Sequence, residues 1–249
     1  MNQDRENNEL LAVETQDLTK DYGDLRAVDH LDLSVEPGTI YGFLGPNGAG
    51  KTTTIEMLCG LLTPSAGKAK VLGRDVVNDG AEELIGYMPQ ETALYLNLTI
   101  HQNIQLYGEL FGLTGDEIAE REKELLELID LVDWRDTLVD ELSGGMKHRA
   151  SLACSLVHEP RILFLDEPTV GVDPDLRASF WDYFIELREQ GTTLLITTHY
   201  MDEARNCGTV GMLSNGKLIA EGNYTQLLKE TGTETLEDAF LKYTKGEKT

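Results

Sequence analysis

At 249 residues and 41% hydrophobic content, the chain can form one large α/β domain, or a core with an inserted subdomain, and either buries a sizeable core. Its 21 lysines and arginines stand against 44 aspartates and glutamates, a formal net charge of −23 that excludes nucleic acid as a partner, since such binding needs clustered cations. No apolar run reaches the roughly 18 residues of a membrane span, and the start MNQDRENNELLA lacks the basic and apolar parts of a secretion signal. The charge also implies self-repulsion that molar salt would screen, so the composition is halophile-like and suggests a salt-rich cytoplasm. Cys59, Cys154 and Cys207 are odd in number and widely spaced, which suits reduced core thiols in that compartment.

Residues 1–9 are polar and expected to fray. Leu10 to Leu18, Ala27 to Val35 and Lys68 to Val71 are short, partly alternating stretches between turn residues, and they predict a small antiparallel sheet. Thr39 to Leu44 (TIYGFL) predicts a buried strand and Thr52 to Leu58 a helix. Between them lies GPNGAGKTT, which fits G-x-x-x-x-G-K-[ST] at Gly45, Gly50, Lys51 and Thr52. Glycines let backbone N–H groups turn inward as a nest at a helix N-terminus, a concave site for phosphate. Gly45, Pro46, Asn47, Gly48, Ala49, Gly50, Lys51, Thr52 and Thr53 are therefore the candidate phosphate-binding residues, with Lys51 reaching the outer phosphates. The Thr52 hydroxyl suits Mg²⁺, a hard cation.

Leu84 to Met88 predicts a strand ending at Pro89-Gln90, and the Gln90 amide can touch both metal and attacking water. From Glu91 to Pro160 the period becomes helical, as for an inserted helical subdomain. There Thr114 and Glu117 form a capping box, followed by an apolar face of Ile118, Leu125, Leu128, Ile129 and Val132. Ser143-Gly144-Gly145 precedes a helix over Met146 to Val157 and leaves its N-terminus open to an anion. Arg161 to Leu165 (RILFL) is a wholly apolar run, as in a parallel strand covered on both faces, and it delivers Asp166 and Glu167. Asp166 is placed to hold Mg²⁺ through its water shell, and Glu167 to accept a proton from attacking water. A helix over Leu176 to Gln190 leads to a strand, Thr192 to Thr198, which delivers His199 for the γ-phosphate. Strands at Val210 to Leu213 and Lys217 to Ala220 flank Asn215-Gly216, and from Leu236 a short amphipathic helix runs into a polar KGEKT tail.

Taken together, these residues resemble the ATP-binding cassette (ABC) ATPases. Leu142-Ser143-Gly144-Gly145-Met146 is similar to that family's signature sequence, Gln90 to its Q-loop, Gly171-Val172-Asp173 to its D-loop and His199 to its switch histidine. The likeness covers essentially Leu10 to Gly222. It implies an α/β fold: a P-loop NTPase core (10–90 and 161–222) with a mainly parallel sheet and an N-terminal antiparallel β-subdomain, an inserted α-helical signature subdomain (91–160), and a C-terminal helix and tail (223–249). It further implies ATP and Mg²⁺ as ligands, Tyr22 stacked on adenine, and Ser143, Gly144 and Gly145 set against ATP held by a second cassette, with Asp173 at that interface. Met146 departs from the usual Gln, and Lys147-His148 is also atypical, while Lys51, Asp166, Glu167 and His199 predict an active ATPase.

The segment bearing Leu94, Tyr95, Leu96, Leu98, Ile100, Tyr107 and Phe111 is more apolar than a solvated loop needs. In the family the matching region receives a coupling helix from a membrane subunit, although helical spacing from Ile100 onward also lets about half of these residues pack the subdomain's own core. Thr198 to Ala204 and Leu236 to Leu241 resemble the drug- and lipid-export (ABC-2 type) branch, in which the permease is a separate transmembrane chain. That branch implies a peripheral protein at the cytoplasmic face of the cell membrane. The alternative is a soluble ABC ATPase such as an iron–sulfur assembly subunit.

Overall fold

The computed structural model describes residues 10–246; the N-terminal stretch expected to fray and the end of the polar tail lie outside the described residues. In chain order, β1 (Val13–Tyr22) and β2 (Leu25–Val35) form a hairpin, β3 (Ile40–Leu44) runs into α1 (Lys51–Leu58), and β4 (Ala66–Val71) and β5 (Arg74–Asp75) return beside the hairpin. After β6 (Ile85–Met88) come α2 (Ile100–Leu110), α3 (Gly115–Leu128) and α4 (Gly144–Leu156). Then follow β7 (Ile162–Asp166), α5 (Pro174–Glu189), β8 (Thr193–Thr198), β9 (Thr209–Ser214), β10 (Lys217–Gly222), α6 (Tyr224–Thr231) and α7 (Leu236–Lys245).

Two sheets result: an antiparallel one ordered β2-β1-β4-β5, and a six-stranded one ordered β10-β9-β3-β8-β7-β6. The second is parallel except at the β9–β10 hairpin, and its central strands are buried along their whole length, as continuous apolar runs require. Side chains alternate across this sheet and divide the interior in two. Ile40, Leu44, Leu163, Leu165, Leu194 and Ile196 face a core shared with α2–α7. Tyr41, Phe43, Ile162, Phe164 and Leu195 face a second core shared with α1 and the antiparallel sheet. Each such residue contributes about 1.5–3 kcal/mol by burial, so a one-residue slip of β7 would exchange the two sets and misplace Asp166 and Glu167.

The helices start where their caps dictate. Thr114 caps α3 in the expected box with Glu117, and an equivalent box of Thr99 and Gln102 starts α2. The apolar face of α3 is shorter than expected: Ile118, Leu125 and Ile129 are buried, but Val132 is 53% exposed. The helix stops at Leu128 and Asp130 takes a left-handed turn (φ 52°), which carries Val132 into a 3₁₀ turn off that face. Glu122 is buried on α3, with Arg135 Nε at 3.0 Å and His101 Nδ1 at 2.8 Å from its carboxylate. The C-terminal segment holds two helices where one was expected. α6 has only eight residues, capped by Asn223 and closed by a left-handed Gly232, too short for a clear apolar period. No helix among the described residues is long and apolar enough to cross a membrane.

Candidate functional site

The glycine-rich loop of residues 45–53 leaves β3 under steric conditions that require glycine. A Cβ on Gly45 would lie 2.4 Å from the Leu213 carbonyl oxygen, and Gly50 caps α1 with φ 102°, where a Cβ would meet the Ala27 carbonyl oxygen at 2.5 Å. Lys51 opens the helix and is buried, its Nζ donating to the Gly45 and Pro46 carbonyls at 2.8 and 3.2 Å. Burial pushes the Lys51 pKa down, and the facing carboxylates of Glu167 and Asp166 work against that shift.

Three strand ends converge on this loop. At the end of β7, Asp166 is fully buried and accepts from Thr52 Oγ1 at 2.6 Å and from Thr197 Oγ1 on the neighbouring strand. Glu167 follows with φ 56°, a left-handed conformation unusual for a long side chain. Its N–H donates to Thr197 Oγ1 at 2.9 Å, which holds that turn in place. The Glu167 carboxylate then sits among three groups: Gln90 Nε2 donates to it at 3.3 Å, His199 Nδ1 lies at 3.4 Å and Lys51 Nζ at 3.9 Å. Gln90 arrives from β6 and His199 from β8, so the parallel register of three strands assembles the cluster.

Residues 47–53 of the loop, Gln90 and Glu167 line a cleft of about 590 Å³, which is also walled by Tyr22, Leu25, Arg26 and Ala27. Tyr22 is half exposed, with Lys20 Nζ 5.3 Å from its ring centre. Sequence reasoning missed Asn215, which also lines the cleft. Read only as a hairpin turn, it is brought there because the N–H of its neighbour Gly216 donates to the Ala49 carbonyl at 3.1 Å. Arg26 was missed too; its guanidinium is held by Asp21 at 2.8 Å and Asp29 at 3.1 Å.

Ser143, Gly144, Gly145 and Asp173 lie outside this cleft. Ser143 Oγ accepts from the Met146 N–H at 3.3 Å and caps α4, while Asp173 caps α5 through the Leu176 N–H at 3.1 Å. The two helix starts adjoin one another, since a Cβ on Gly145 would lie 3.4 Å from the carbonyl oxygen of Gly171, two residues before Asp173. Met146, in place of the usual amide, packs against the apolar core. His148 Nε2 donates to the Glu167 carbonyl oxygen at 3.1 Å, joining the start of α4 to the back of the carboxylate cluster.

A glycine-rich loop at a helix start, a carboxylate set among a lysine, an amide and an imidazole, and an exposed second helix start outside the cleft form a constellation that can be compared with known proteins. The model of the ABC transporter family matches residues 28–170. The probable multidrug ABC transporter ATP-binding protein YbhF of Escherichia coli K12 is 44% identical over 238 residues, covering 93% of this chain. The chain spans 41% of that protein's length. The daunorubicin resistance ATP-binding protein DrrA3 of Streptomyces coeruleorubidus is 44% identical over 229 residues, covering 91% of this chain and 72% of that one. Among solved structures, an ATP-binding subunit of an ABC transporter superposes with a TM-score of 0.87 at 26% identity, covering 94% of this chain and 99% of that one. Fold, site geometry and sequence agree that the chain belongs to the ABC transporter family.

Proposed function

We propose that the chain is the ATP-hydrolysing subunit of an exporter, driving a separate membrane permease from the cytoplasmic face of the membrane. The observation that carries the reading is the Glu167 carboxylate, held between Gln90, His199 and Lys51 at the edge of the phosphate-loop cleft. A carboxylate so placed can orient an attacking water and take its proton, while His199 reaches the outermost phosphate and Lys51 balances charge on the oxygens. Tyr22 offers a ring face to the adenine. Replacing Tyr22 by alanine is expected to raise the KM for ATP about tenfold with kcat within about twofold, since base–aromatic stacking is worth ~1–3 kcal/mol; steady-state kinetics check this.

Mg²⁺ fits the same cleft. The Thr52 hydroxyl and the Asp166 carboxylate already meet at 2.6 Å and Gln90 lines the wall, a small set of hard oxygen donors that suits an ion keeping several waters. When bound, the ion would neutralise charge on the phosphate oxygens.

A second cassette is the natural partner of Ser143, Gly144, Gly145 and Asp173, because Gly145 lies beside Gly171 in the loop that leads to Asp173 and none of the four lines its own chain's cleft. The surface offered to a permease is an apolar groove of about 370 Å³. It lies along the edge strand β6 and is lined by Cys59, Ile85, Tyr87, Pro89, Tyr107 and Phe111. The groove differs in detail from the stretch expected to form it: Leu94 and Ile100 are buried in the helical core, while Tyr95 and Leu96 are half exposed outside it. Since β6 runs directly into Gln90, a helix seated there would press on the residue that touches Glu167.

The exporter reading also follows the relatives described above, one named as a probable multidrug ABC transporter ATP-binding protein and the other for daunorubicin resistance. Nothing comparable supports iron–sulfur assembly. Capture of tagged Glu167→Gln chain with ATP and Mg²⁺ in molar KCl, from detergent-solubilised source cells, is expected to bring down a polytopic membrane protein. Recovery of soluble partners alone would overturn the transporter assignment.

A further inference from the structure

The backbone pairing of β7 with β8 ends at Glu167, whose N–H donates to the Thr197 carbonyl at 3.2 Å. Past that bond the chain diverges, one loop running to Asp173 and the other to His199. One buried carboxylate spans the gap. Glu203, in the 3₁₀ helix Met201–Asn206, is 3% exposed and accepts hydrogen bonds at both carboxylate oxygens. Thr169 Oγ1 donates to Oε1 at 2.6 Å, and Thr198 Oγ1 donates to Oε2 at 2.7 Å. Thr169 stands two residues beyond Glu167, and Thr198 immediately before His199.

The surroundings reinforce this bridge. The Thr198 hydroxyl also accepts from the Tyr200 N–H at 3.0 Å, which fixes the turn carrying His199. Arg177, in the first turn of α5, places Nε 3.9 Å from Glu203 Oε1 and its guanidinium 4.6 Å from the Tyr200 ring centre. It also donates to the Val172 carbonyl at 3.4 Å, one residue before Asp173. A buried carboxylate is costly unless every oxygen is satisfied and a cation stands near, and both conditions hold here.

We propose that Glu203 is a positioning residue for ATP hydrolysis: it continues the β7–β8 pairing beyond the sheet and keeps His199 within reach of Glu167 and in step with the loop that presents Asp173. It touches no phosphate and acts through Thr198 and Thr169. The proposal rests on the reading of the site as hydrolytic.

The test is steady-state ATPase activity, ATP affinity and Tm for Glu203→Gln, Thr198→Val and the double variant, with Glu167→Gln as control. Glutamine keeps the side-chain length but offers one oxygen for two hydroxyl donors. Displacing a reactive group by a fraction of an ångström to an ångström is expensive, so kcat is expected to fall on the order of tenfold in Glu203→Gln, with KM and ATP affinity within about twofold. Thr198→Val should lose at least a comparable part, since it also gives up the bond from the Tyr200 N–H, and the double variant should lose far less than the product of the two single losses, as for residues that share a contact. Unchanged kcat, losses that multiply in the double variant, or a fall in rate that only tracks a smaller ATP-binding fraction would each overturn the proposal. A silent Glu203→Gln beside an inactive Glu167→Gln removes Glu203 alone, whereas a wild-type chain that turns over no ATP removes the hydrolytic reading and this proposal with it.

Discussion

Glu167→Gln is expected to lose ATP turnover by at least about a hundredfold while retaining its affinity for ATP, because general-base catalysis supplies roughly a hundredfold to ten-thousandfold and the amide cannot take the proton. The substitution is close in shape, so the contacts from Gln90 and His199 can persist and the Glu167 N–H bond to Thr197 is untouched. The variant should therefore bind nucleotide and stall. On a sizing column with ATP and Mg²⁺ it should run at twice the mass of the nucleotide-free chain, since two ATPs would hold the cassettes together and nothing would release them. Equal steady-state rates for wild type and variant would remove Glu167 from its role.

The second large effect is on binding. Lys51→Ala is expected to weaken ATP affinity by about 10- to 100-fold, because a charge-assisted hydrogen bond is worth ~1.5–3 kcal/mol and each 1.4 kcal/mol is tenfold. Calorimetric titration measures it directly, and the rise in Tm that saturating ATP gives the wild type should largely vanish. Stability without nucleotide should change little. The fold bears a cost for the charge, since burial holds the lysine below its ordinary pKa, while it gains the bonds to the Gly45 and Pro46 carbonyls. The sign with pH follows: the folded chain releases this proton before the unfolded chain does, so the cost is relieved as pH rises through the folded value. A variant that bound ATP as tightly as the wild type would show that the loop's backbone alone holds the phosphates.

Much of the site could be read from the chain because its parts are local. The spacing of Gly45, Gly50, Lys51 and Thr52 is a property of nine consecutive residues, and RILFL announces both a buried strand and the acids at its end. Glu203 was not legible in the same way. In the sequence it is one acid in a polar turn, and its meaning arises only when Thr169, 34 positions away, is folded against it. Asn215 is similar, since packing of the β9–β10 hairpin on Ala49 brings it into the cleft. Val132 was misassigned because helical spacing was carried past the point where Asp130 turns left-handed. Local chemistry reads forward along a chain; contacts between loops that leave neighbouring strands do not.

The division of the interior by the six-stranded sheet has a mechanical consequence. Side chains on one face pack with α2–α7 and those on the other with α1 and the antiparallel sheet, so a push on either side cannot travel across by side-chain repacking. What joins the two sides is the sheet itself. Its edge strand β6 borders a groove lined from both cores, and its strand ends carry Gln90, Glu167 and His199. A helix seated in the groove would therefore act on the carboxylate cluster through β6, whose end leads to Gln90 beside Glu167.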